Sequence, residues 1–262
     1  MYEIQTYLGA DGLMHCTVCK EPVEAFYPKG SLLEMRKRHR QCACERKAYA
    51  EETQYYKEKE HRELIARNKK ICFEEKEMEG FTFQNVERDS GVIRIAEEYV
   101  TNWQKMKQNH MGYLFWGPVG TGKSYLAACI ANALLEKEVT VKMTNFNTIL
   151  NDLFAAEDKT EYIRLLNGYE LLIIDDLGVE RSSEYVLENI FSVIDWRYRS
   201  GKPLIITTNL PLAQLKQETK IEKKRIYDRI LERCIPVKID GVSRREAMAN
   251  DNMQTMKNIL KI

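Results

Sequence analysis

Residues 113–135 read YLFWGPVGTGKSYLAACIANALL, and the order of residue types in this stretch decides how the rest of the chain is read. Four apolar residues, Tyr113 to Trp116, form a strand candidate. The residues that follow, Gly117, Pro118, Val119, Gly120, Thr121, Gly122, Lys123 and Ser124, match G-x-x-x-x-G-K-[ST], and a helical pattern opens at Tyr125. Strand, glycine-rich loop and helix in that order are the setting of a phosphate-binding loop. Its glycines let backbone N–H groups wrap a phosphate, its lysine reaches the β- and γ-phosphates, and its hydroxyl ligates Mg²⁺. Residues 117–125 are therefore expected to bind ATP, with Lys123 on the phosphates and Ser124 on the magnesium.

Hydrolysis needs carboxylates near that loop. Residues 170–178, ELLIIDDLG, supply a buried strand candidate, Leu171 to Ile174, ending in two acids. Asp175 is expected to hold Mg²⁺ through water, and Asp176 to orient or deprotonate the attacking water. An apolar run ending in acids is common by itself; downstream of a phosphate loop it is specific. Residues 201–211, GKPLIITTNLP, give a further buried strand with Thr207, Thr208 and Asn209 at its carboxyl end. Ligands of open α/β sheets bind at that edge, so Asn209 either faces the γ-phosphate or simply forms the turn before Leu-Pro. Strand candidates at Val139–Thr144 and Ile235–Ile239 bring the total to five, alternating with helices. The pattern predicts an α/β fold, a five-stranded parallel sheet covered on both faces.

Between the last two strands, IEKKRIYDRILERC (221–234) places Arg225, Arg229 and Arg233 on one helical face. They form a solvated basic stripe, or one of them reaches the γ-phosphate held by a neighbouring subunit. Then DGVSRREAMAN (240–250) opens a short helix at Arg244 and Arg245. The chain after it leaves room for only a rudimentary lid.

The N-terminal part differs in character. Cys16 and Cys19 in HCTVCK, and Cys42 and Cys44 in QCACER, are two close pairs that suit a tetrahedral zinc site, with His15 and His39 near enough in sequence to replace one thiol. Redox-active dithiols or unrelated free thiols are the competing reading. So small a segment has little apolar surface, so Zn²⁺ would supply its folding energy. Beyond it, residues rich in Glu, Lys, Arg and Ala and free of Gly and Pro predict a long helix from about Cys44 to Ile71, either a spacer or a surface helix packed on the main domain. The expected organisation is a zinc-binding module at 1–50, a helical linker at 51–80 and an ATPase domain at 81–262. A net charge of +1 argues against nucleic-acid binding through bulk charge. With no basic leader running into an apolar segment and no membrane-length apolar run, the chain reads as cytoplasmic and unattached to membrane.

GPVGTGKS, LLIIDDLG, IITTNL, IYDRILER and GVSRREAMA, in that order, resemble the AAA+ ATPases of the bacterial helicase-loader type, DnaC and DnaI, with the transposition helper IstB and the initiator DnaA as cousins. The resemblance covers roughly Phe81 to Ala249. It implies that Lys123 and Ser124 are the Walker A pair, Asp175 and Asp176 the Walker B pair, Asn209 sensor 1, Arg229 the arginine finger and Arg245 sensor 2. The family usually has Tyr before the last of these where this chain has Arg244. Loaders of the DnaI type carry an N-terminal zinc domain that docks on the replicative helicase. The resemblance therefore implies a weak ATPase used as a switch, loading a hexameric DnaB-type helicase onto single-stranded DNA, with self-association through the ATP sites. The alternative it carries is an IstB-like helper that guides a transposase on duplex DNA.

Overall fold

The computed structural model describes residues 5–33, 36–85, 91–178, 183–241 and 243–260; of Asn85, Arg244, Ala247, Met248 and Asn250 only the backbone is described. Contacts divide the chain into two compact units, Met1–Leu64 and Ile65–Ile262. Among the described residues no helix is long and apolar enough to cross a membrane.

The first unit has two antiparallel ribbons, β1 (Thr6–Leu8) with β2 (Met14–Cys16) and β3 (Glu24–Phe26) with β4 (Lys37–His39). Its buried core is Cys16, Val23 and Cys42, with Met14, Cys19 and Cys44 packed against them. So few side chains bury too little apolar surface to hold a fold alone. Helix α1 (Ala43–Cys72) follows, close to the span read from composition. Its start is fixed by two carboxylates: Glu21 accepts the Ala43 N–H at 2.8 Å and Glu45 the Cys42 N–H at 2.9 Å. Anions there satisfy open N–H groups and complement the helix dipole. The only residues α1 buries are Ile65 and Cys72.

The second unit begins with the end of α1, then α2 (Gly91–Thr101) and α3 (Trp103–Gln108). The core alternates strand and helix: β5 (Gly112–Trp116), α4 (Lys123–Leu135), β6 (Val141–Asn145), α5 (Phe146–Ala155), α6 (Lys159–Leu166), β7 (Leu171–Leu177), α7 (Glu184–Ser200), β8 (Leu204–Thr208), α8 (Leu212–Lys216), α9 (Ile221–Arg233), β9 (Cys234–Lys238) and α10 (Arg244–Leu260). All five strands are parallel, in the order β6-β7-β8-β5-β9. Alternate residues explain the layers. Tyr113, Phe115, Leu171, Ile173 and Ile205 join the core under α2 and α4, whereas Leu114, Leu172, Ile174 and Ile206 join the one with residues of α5, α7 and α9. The expected α/β sheet, covered on both faces, is present, and α10 is the single helix described after β9.

At the amino ends of β7 and β8, away from the carboxyl edge, Arg197 is 1% exposed. Its guanidinium donates to the carbonyls of Tyr169 (2.9 Å), Glu170 (2.9 Å) and Pro203 (2.5 Å), and burial pulls its pKa down to about 9. Removing it strands three carbonyls and opens a cavity. Arg197→Ala should therefore cost about 3 kcal/mol in urea unfolding, and a loss below about 1 kcal/mol would mean that water replaces the guanidinium.

Candidate functional site

The phosphate loop joins β5 to α4 at the carboxyl edge of the sheet. Gly117, Gly120 and Gly122 have φ of +146°, +81° and +94°, a region that residues with a Cβ rarely enter. At Gly117 space is a second reason, since a Cβ would lie 2.2 Å from the Ile239 carbonyl oxygen. Lys123 is 5% exposed and donates from Nζ to the carbonyls of Gly117 (3.0 Å) and Pro118 (2.7 Å). Burial lowers its pKa, while Asp176 and Asp175 raise it and the charge of Arg245 lowers it further. Arg245, in the first turn of α10, is thus close enough for its charge to be felt at Lys123.

The carboxyl end of β7, separated from β5 by β8, supplies both acids. Burial raises the Asp175 pKa; hydrogen bonds from Thr207 and Ser124 and the charge of Lys123 oppose this, and Asp176 adds to it. Between Ile174 and Leu177 the pairing of β7 with β8 slips by one residue, and Asp176 sits in the bulge at φ +62°. A bulge re-aims the side chains it contains. Here Asp175 turns to Ser124, and Asp176 turns to Asn209, whose Nδ2 donates to Asp176 Oδ1 at 2.8 Å. Thr207 stands between the acids, donating to Asp175 Oδ1 at 2.5 Å and accepting the Asp176 N–H at 2.9 Å.

Lys123, Ser124, Asp175, Asp176 and Asn209 thus form one interacting group, with the charge of Arg245 felt at its lysine. Chemically it offers a cation and N–H donors for phosphate, a hydroxyl and carboxylate for a hard divalent ion, and an amide-oriented carboxylate for water. In the sequence Thr207 is only a hydroxyl at a strand end; its two hydrogen bonds depend on the bulge, which no local pattern announces. Arg229 is engaged elsewhere. Its guanidinium pairs with Asp195 of α7 at 2.6 Å and lies over Phe191 at 4.6 Å. Arg225 lies over Phe191 at 4.3 Å and Arg233 over Tyr198 at 4.6 Å, so the stripe rests on aromatic rings of α7.

In the first unit the sulfurs of Cys16, Cys19, Cys42 and Cys44 lie within 4.8 Å of one another, and none is in a disulfide. A tight turn shapes the first pair: the Lys20 N–H donates to the Cys16 carbonyl at 3.0 Å and Lys20 has φ +62°. The Glu21 backbone N–H lowers the Cys19 pKa to about 6, and desolvation with the neighbouring sulfurs raises that of Cys44 to about 11. Four converging soft donors, with backbone N–H groups aimed at sulfur, fit Zn²⁺. The two histidines are occupied elsewhere, His15 with Asp11 at 3.0 Å and His39 with Glu45 at 3.3 Å.

A family profile described as IstB-like ATP binding protein matches residues 48–251. The replicative helicase loader DnaI of Bacillus subtilis is 24% identical over 192 residues, 67% of this chain and 62% of its own length. The replicative helicase loader DnaC of Escherichia coli is 29% identical over 149 residues, 55% of this chain and 58% of its own. The chain thus spans about three-fifths of the length of these curated relatives. A crystal structure of DnaI superposes with a TM-score of 0.58 at 25% identity, covering 68% of this chain and 99% of that one. One of the DnaC helicase loader gives 0.51 at 22% identity, covering 63% and 100%, a likeness of fold.

Proposed function

Because the chain belongs to the IstB-like ATP binding protein family, whose relatives here include the loaders DnaI and DnaC, we propose that it is an ATP-driven loader of a hexameric DnaB-type replicative helicase. The observation that carries this is the pairing, in one chain, of a complete phosphate and carboxylate group with a four-cysteine cluster ahead of it.

Residues 117–125 bind ATP, with Lys123 on the β- and γ-phosphates. Ser124 and, through water, Asp175 would hold Mg²⁺, which would supply neutralising charge beside the phosphates. Asp176 orients the attacking water, and Asn209, hydrogen-bonded to it, reports the γ-phosphate. Arg245 contacts the phosphates from α10, and Arg229 serves a neighbouring subunit's site, which makes turnover weak in isolated subunits and dependent on self-association. Residues 1–50, with Zn²⁺ on Cys16, Cys19, Cys42 and Cys44, dock on the helicase; 51–80 link them to the ATPase domain, 81–262. Triphosphate holds helicase and single-stranded DNA together, and hydrolysis releases them in the cytoplasm.

Immobilised chain should retain a DnaB-type hexamer in the presence of ATP, and a Cys16→Ser/Cys19→Ser variant should lose at least tenfold of that retention. A zinc-loaded chain that binds ATP yet leaves the hexamer in the flow-through would refute the loader reading.

A further inference from the structure

The end of α1 is fastened to the strand beside the candidate magnesium ligands. Lys69 pairs with Glu136 at 2.8 Å, Lys142 Nζ donates to the Ile71 carbonyl at 3.1 Å, and Cys72 and Phe73 are buried. Glu74 makes the contact nearest the site. One carboxylate oxygen accepts from Thr144 Oγ1 at 2.7 Å and the other from Thr148 Oγ1 at 2.9 Å.

Those two threonines flank Asn145, which pairs with Asp175 across β6 and β7. Asn145 also caps α5, accepting the Thr148 N–H at 2.9 Å. Glu74 and Asp175 line one small cavity of about 40 Å³, together with Met143, Thr144 and Asn145. A shift of Asp175 or of the first turn of α5 is therefore felt at Glu74 through two hydroxyls.

We infer that Glu74 is a positioning residue through which the nucleotide state at Asp175 sets the stability of the last turn of α1, the helix that continues into the four-cysteine unit. This rests on the ATP site proposed above and names the contact by which it acts at a distance. Coupling between sites is reciprocal and commonly amounts to several-fold to a hundredfold in an equilibrium. A helix end followed two residues on by a side chain held through two hydrogen bonds is the kind of element whose local opening such coupling can bias.

Hydrogen exchange on the full, zinc-loaded chain tests the inference, with ADP·Mg²⁺ compared against an ATP analogue whose β–γ bridge resists hydrolysis. Amides of residues 66–75 should exchange about tenfold more slowly with the analogue. Thr144→Val with Thr148→Val, which keeps shape and removes both hydroxyls, should erase that difference, as should Glu74→Gln in large part. Thr144→Ser with Thr148→Ser should keep it. Nucleotide affinity is measured in the same samples: loss of binding in the unaltered chain would refute the ATP site, not the coupling. Equal exchange with two nucleotides that both bind, or a difference that survives the valine pair, would overturn the role of Glu74.

Discussion

Asp176→Asn should leave ATP bound and lower turnover at least about a hundredfold, the scale on which a general base contributes. The substitution is unusually clean at this position. Asn is among the few residues that tolerate the left-handed backbone Asp176 adopts, at φ +62°, so the bulge survives. Its side-chain oxygen can still accept from Asn209, as Asp176 Oδ1 does at 2.8 Å. What disappears is the negative charge and the ability to take a proton from water. Affinity for ATP·Mg²⁺ should stay within about threefold, because Lys123, Ser124 and Asp175 are untouched, and a fall in kcat at constant binding marks a group needed only in the transition state. Single-turnover hydrolysis beside equilibrium titration gives both quantities. Unchanged turnover would remove Asp176 from the chemistry and shift attention to another acid.

The second large effect is metal removal. Among the described residues, the core of the first unit consists of the four cysteines with Val23 and Met14 beside them. Without a metal those sulfurs are four small, weakly interacting side chains around almost no apolar surface. Structural zinc sites in small domains supply on the order of 10 kcal/mol, which is their folding free energy. The purified chain should carry one zinc, and stripping it with a chelator should abolish the dispersed amide signals of residues 5–42. Nucleotide binding by the second unit, whose core is built of Leu, Ile, Val and aromatic side chains, should persist. A first unit that stays folded with the metal gone would show that the four thiols are close neighbours and nothing more.

The parts of this molecule that were legible in sequence are those where one short segment carries the whole cause. Residues 113–135 encode a strand, a loop whose glycines must take left-handed angles, and a buried helix, and each is needed locally. Helix α1 was legible for a similar reason: its composition favours helix at nearly every position, and Glu21 and Glu45 only fix where it starts. The four short ribbon strands described in the first unit were not, since three-residue strands have no readable period and are defined by their pairing with one another. Arg225, Arg229 and Arg233 could be placed on one face from their spacing. Their partners could not, because Phe191, Asp195 and Tyr198 lie in another helix and meet them only through packing. Thr207 shows the same boundary, its role being set by a one-residue slip between strands.

The ion pair between Arg229 and Asp195 bears on the association of subunits proposed above. Asp195 is 8% exposed and is also bound by Arg199 at 2.7 Å, so it loses a close counter-ion whenever Arg229 departs. If Arg229 engages an adjacent protomer, that departure is an exchange of anions, with the carboxylate at home given up for a phosphate next door. On the proposed finger role, a γ-phosphate would offer Arg229 the compensating charge that a bound diphosphate lacks at that position, so the resting ion pair would favour association in the triphosphate state. Clustering of spent protomers would then be opposed by a contact that lies wholly within each one.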